Sequence, residues 1–113
     1  MNPRQEIDFP WGAAEVRSRP TLGRVAEIER KFGPVLQIIG RFRKDELSLT
    51  GELLPMLAIM LRGCDGVPKG DAAVMDDIYD IGPNLFFTPF LLWLNAAYVV
   101  NEPAPPKDAP AGN

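Results

Sequence analysis

Between Pro20-Thr21 and Gly33-Pro34 the chain is punctuated at both ends, and the residues in between fit one local structure. Leu22, Val25, Ala26, Ile28 and Phe32 recur at three- and four-residue spacing, so they share one broad face of an α-helix. Thr21 stands where a side-chain oxygen caps the free N–H groups of the first turn, and Gly33 stands where a helix stops. Glu27 and Lys31 are four apart in the favourable order on the outer side, a pair contributing only ~0.3 kcal/mol.

The same punctuation divides the rest of the chain. Pro34 suits the first position of a second helix, where its missing N–H costs nothing, with Val35, Ile38, Ile39 and Phe42 as the buried face. Gly40 and the run Arg41-Phe42-Arg43-Lys44-Asp45 mark its end, basic side chains lying favourably at the C-terminus. A third helix is expected over 49–62, capped by Ser48 or Thr50 and dominated by Leu53, Leu54, Leu57, Ala58, Met60 and Leu61. Apolar nearly all round, it belongs at the centre of a bundle. Pro55 falls in its first turns and either kinks it or moves its true start later. After a loop over 63–70, a fourth helix starts at Asp71, whose carboxylate caps the next turn, and carries Val74, Met75, Ile78 and Ile81 inward until Gly82-Pro83 stops it. A fifth occupies 84–100.

Ahead of the helices, Ile7-Asp8-Phe9-Pro10 and Ala14-Glu15-Val16-Arg17 flank Trp11-Gly12-Ala13, which reads as a β-hairpin at about 6–18. Two strands alone are barely stable, so Phe9, Trp11 and Val16 must pack on helices. From 101 to 113 the Pro-rich string has nothing with which to build a core and reads as a disordered tail. The expected fold is mainly α: a small bundle of about five helices with an N-terminal hairpin, one domain over 1–100, and the tail.

At 113 residues the chain has one core with little area to spare, which leaves partners or self-association to complete its burial. Charge is unevenly divided: residues 1–62 hold ten Lys/Arg against eight Asp/Glu, and residues 63–113 hold two against seven. Arg17, Arg19, Arg24, Arg30 and Lys31 form a basic group without interleaved aromatics or a recognition-helix pattern, so nucleic-acid binding is not expected. The lone Cys64 excludes an intrachain disulfide and no apolar leader follows Met1, so a reducing cytoplasm is the expected compartment. The apolar run 85–100 falls short of the ~20 residues of a membrane span.

Chemistry finds little to work with. The chain has no histidine, so neither Cys64 nor any hydroxyl has a base to activate it in the usual way. Asp65, Gly70, Asp71 and Asp76 fall at positions one, six, seven and twelve of a calcium loop, but Val67 and Lys69 remove the oxygen donors at three and five. Asp76, Asp77 and Asp80 read as a solvated helix face. No catalytic residue, metal site or cofactor is expected, and the chain is read as a non-enzyme.

The remaining feature is the aromatic block of 85–94. Phe86, Phe87, Phe90, Leu91, Trp93 and Leu94 are more than one core face of a small domain needs. Two readings stand: the fifth helix runs through the middle and all six are core, or part of this face, rich in the Phe and Trp of binding hot spots, meets a partner helix or another copy.

Val16, Arg19-Pro20-Thr21, Ala26-Glu27-Ile28-Glu29 and Phe32-Gly33 together resemble the start of a family of small proteins from gene transfer agents and related tailed phages. Leu61-Arg62-Gly63 and Tyr79-Asp80-Ile81-Gly82 match its later helix ends. The Trp11 turn, the aromatic helix around Pro89 and the Pro-rich tail depart from the pattern. Members of the family are described as tail tube proteins or as tail assembly chaperones. The resemblance implies a protein of the bacterial host cytoplasm that coats the long helical tape measure protein and helps tail tube subunits assemble around it. The alternatives are a structural tube component of the particle and an unrelated helical interaction module. The scarcity of strands favours the chaperone, since a tube wall needs sheet to close a ring.

Overall fold

Strands β1 (Ile7–Trp11) and β2 (Ala14–Ser18) pair antiparallel, with Phe9 opposite Val16 and Trp11 opposite Ala14. The two-residue loop places Gly12 at a φ of 65°, which glycine adopts without a side-chain clash and which matches the twist of a tight hairpin. Alternation then does the sorting. Ile7, Phe9, Val16 and Ser18 are buried, while Asp8 and Arg17 face solvent and pair at 3.0 Å. The computed structural model describes residues 5–99, so the expectations for the tail and for Val100 lie outside the described residues.

Helix α1 (Leu22–Phe32) begins as its sequence requires: the Arg24 amide donates to Thr21 Oγ1 at 3.3 Å, and the Gly33 N–H closes the far end on the Glu29 carbonyl. Helix α2 (Val35–Arg43) starts one residue later than expected, with Pro34 as its cap. Proline offers no capping oxygen, and Glu29 of α1 supplies one, accepting from the Val35 N–H at 2.9 Å.

The expected third helix is two structures in series. Leu49–Leu53 is a π turn and α3 is Leu54–Leu61. Pro55 is the physical reason. In a continuous α-helix it would leave the Gly51 carbonyl without a donor and press its ring on it; the wider i to i−5 turn absorbs one extra residue just ahead of the proline. The Leu53 amide accordingly reaches back to the Ser48 carbonyl at 2.9 Å. Seven of the eight residues of α3 are buried, and it packs against β2, α1 and α4.

Helix α4 (Asp71–Ile81) is preceded by Gly70 as its cap residue, without a side-chain bond. Asp71 does not cap the helix, because both carboxylate oxygens accept from Arg62, at 3.1 and 2.7 Å. Arg62 also donates to both oxygens of Glu27, so one guanidinium ties α1 to the start of α4. Those bonds from Arg62, with that from Lys31, hold the Glu27 carboxyl down at about 2. A 3₁₀ turn, Pro83–Phe86, leads into α5 (Phe87–Tyr98), which packs on β1 and α2. Pro89 is tolerated because it sits in the first turn, where amides have no intrahelical acceptor. The described residues are therefore mainly helical, five α-helices with an N-terminal two-stranded hairpin, as expected. No helix among the described residues is long and apolar enough to cross a membrane.

Candidate functional site

Helix α5 feeds two different environments. Phe86, at the end of the 3₁₀ turn, and Phe90, Trp93 and Leu94 follow one another at helical spacing and are fully buried, together with Pro89. Phe86 lies 6.4 Å from Phe9 and receives the edge of Trp11 at 6.2 Å, so the hairpin is what seals this face. The Trp93 indole N–H donates at 2.9 Å to Ser18 Oγ, whose hydroxyl donates to the Met60 carbonyl. Met60 lies in the last turn of α3, where carbonyls lose their intrahelical donor, and the serine supplies one. A single hydroxyl thus satisfies an indole and a helix end inside an apolar core.

Phe87 and Leu91 lie at the edge of the same arc. Phe87 is 41 % exposed and Leu91 half-buried, and both line a groove of about 360 Å³ with Phe42, Leu47, Leu53, Arg43, Asp45 and Thr88. Phe42 forms the floor between the two environments: its ring is 5.3 Å from Phe87, edge on, and 5.1 Å from Phe90. Of the six residues of the candidate interface, Phe86, Phe90, Trp93 and Leu94 are buried in the core of the single chain, and Phe87 and Leu91 reach the groove. The reason is the hairpin, which occupies the flank of α5 that a free helix would show.

The opposite wall is the π turn, held by a clamp. Arg41 grips both oxygens of Glu52, at 2.7 and 2.9 Å, and reaches the Glu46 carbonyl at 3.1 Å. Glu52 also accepts from the Ser48 N–H at 2.9 Å while Ser48 Oγ accepts from the Gly51 N–H at 3.0 Å, a reciprocal cap with its acidic member moved one residue along by the π turn. Arg41, then the Ser48 amide, lower the Glu52 carboxyl pKa. A Cβ at position 51 would lie 2.6 Å from the Ser48 hydroxyl, so glycine is what allows the cap to close. Leu47, just ahead of the turn, and Leu53, its last residue, both enter the groove wall.

Sequence reasoning placed Phe42 and Leu53 in helix cores and passed over Leu47 and Thr88. The available signal was Leu47 itself, an apolar residue next to a capping serine, where a hydrophobic staple is expected. Elsewhere, Cys64 is half-buried with Arg24 Nη2 at 3.7 Å from its sulfur, and no group of three metal-ligating side chains comes together among the described residues. The groove is apolar and aromatic, with one cation, one carboxylate and one hydroxyl at its rim, an arrangement suited to holding an apolar side chain.

A family described as phage tail tube protein, GTA-gp10, matches residues 4–97. No curated protein and no solved structure matches the chain.

Proposed function

The chain belongs to this tail tube protein family of gene transfer agents and phages, and from that premise we propose that it is a tail assembly chaperone: a non-enzymatic protein of the bacterial host cytoplasm that binds the tape measure protein and assists tube assembly. The observation that carries the reading is the fold itself. A tube wall is built from sheet that continues between subunits, and the described residues supply one two-stranded hairpin whose inner face is consumed by α5. The groove of Phe42, Leu47, Phe87 and Leu91 is the surface that would take the apolar stripe of a long helix, with Phe87 as the central anchor.

Co-expression with the tape measure protein of the same gene cluster tests this. The full chain is expected to co-purify with it and raise its soluble yield, and Phe87→Asp with Leu91→Asp is expected to lower recovery at least ~10-fold, the size of effect of losing a hot spot. Absence of a complex with the unaltered chain overturns the reading. The family description itself favours a second reading, a structural tube component; mass spectrometry of purified particles separates the two, since a component remains and a chaperone does not.

A further inference from the structure

The outer side of α5 forms a continuous path. Phe87, Leu91, Asn95 and Tyr98 stand at i, i+4, i+8 and i+11, with Leu92 and Val99 beside them, so one band runs from the groove to the C-terminal end of the helix. Asn95 is its one polar side chain, and the rest is apolar surface in water: Leu92 is 50 % exposed, Tyr98 55 % and Val99 62 %. Single exposed apolar residues need no explanation, but a row of them leading into an aromatic groove marks a surface that something covers.

The chain carries a segment of suitable chemistry at the end of that path. Beyond Val99, outside the described residues, the sequence continues Val100-Asn101-Glu102 and then Pro103-Ala104-Pro105-Pro106-Lys107-Asp108-Ala109-Pro110. Prolines so closely spaced favour a polyproline II helix, the form that aromatic-lined grooves take up at little entropic cost. With ~3 residues per turn, Pro103, Pro106 and Ala109 share one apolar face. Its length also fits. Each residue of polyproline II advances ~3.1 Å, about twice the ~1.5 Å of an α-helix. If 100–102 reverse the chain, Pro105 and Pro106 come level with Asn95 and Leu92, Lys107 and Asp108 with Leu91, and Ala109-Pro110 with Phe87. The charges match as well, because the groove rim holds Asp45 and Arg43, which make no ion pair among the described residues.

We propose that residues 103–110 fold back along α5 of their own chain as a polyproline strap over the groove. Pro103, Pro106 and Ala109 lie on the band, and Lys107 and Asp108 pair with Asp45 and Arg43. Tethering presents such a segment to its site at an effective concentration on the order of millimolar, so a contact too weak to hold between separate molecules is held within one. An outside helix must displace the strap, which makes the groove self-covered until a longer apolar stripe competes for it. This does not rest on the tape measure reading, since the occupant is the chain itself.

Photo-crosslinking of the full chain tests it, with Leu92→p-benzoylphenylalanine as the probe in an equal mixture of ¹⁴N- and ¹⁵N-labelled protein. Mass spectrometry is expected to find position 92 joined to a peptide within 103–110, both halves carrying the same isotope. Pro103→Gly, Pro105→Gly and Pro106→Gly combined in that chain are expected to lower the yield at least ~10-fold with unchanged helical circular dichroism, because the glycines remove the pre-set helix but keep the tether. Absence of the cross-link overturns the proposal, as do cross-links mainly between unlike isotopes. A yield unmoved by the glycines also overturns it, since a tether alone would then account for the contact.

Discussion

The two flanks of α5 differ in one respect that governs everything else about them: one has a hairpin over it and the other does not. Under the hairpin, Phe86, Phe90, Trp93 and Leu94 are sealed and even the indole N–H has an acceptor. At the groove, Phe87 and Leu91 are built of similar residues but remain half in water beside Arg43 and Asp45. Aromatic content does not separate core from surface in this chain; the neighbour does. Substitutions in α5 should therefore divide by flank and not by side-chain size.

The largest effect is expected on the sealed flank. Trp93→Ala removes a fully buried ring and should lower unfolding free energy by ~3–5 kcal/mol, while Ser18→Ala, which leaves the indole N–H unpartnered and the Met60 carbonyl with only the weak Cys64 thiol donor at 3.9 Å, should cost ~1–3 kcal/mol, both read by urea denaturation. If Ser18→Ala were neutral, the hydroxyl relay would not be what secures the hairpin. Phe87→Ser, on the open flank, should cost no more than about 1 kcal/mol because the ring is already part solvated and loses chiefly its edge contact with Phe42. A loss matching that of Trp93→Ala would erase the distinction between the flanks.

The smallest effect is expected at the charged seam of Glu27, Arg62 and Asp71, open to water like the groove. With the Glu27 carboxyl at about 2 when folded against an ordinary 4.5, its ion pair stabilises the fold above pH ~4.5 and that contribution disappears as pH falls through the window down to ~2. Arg62 is nearly half exposed, so solvent screening keeps the contribution below about 1 kcal/mol. Glu27→Gln should flatten the acid limb of a stability-against-pH curve by that amount and leave stability at pH ~2 and below little changed.

Much of this architecture was legible from local rules. Thr21 and Gly33 bounded α1, the alternation around Gly12 gave the hairpin, and the unbroken apolar run of 53–61 put α3 at the centre. What escaped was phase. Pro55 forced a π turn in place of an α turn, and Gly82-Pro83 put a 3₁₀ turn ahead of α5; both depend on how a proline is accommodated, which neighbours decide. The groove was half legible for a related reason. Phe87 and Leu91 stood out, but Phe42, Leu47 and Leu53 come from α2, the loop after it and the π turn, and only tertiary packing brings them opposite α5.

The pairing of Trp93 with Ser18 also equips the protein with an optical gauge. Its two tryptophans report on different boundaries: Trp93 sits in a dry, rigid cage, and Trp11 lies half in solvent at the hairpin turn, edge-on to Phe86. Blue-shifted, quencher-resistant emission is expected from the first and red-shifted, quencher-sensitive emission from the second. A hairpin lifting off α5 would shift Trp93 towards the red and expose it to acrylamide while the helical circular dichroism held steady, so peeling and global melting can be told apart in a cuvette without any label.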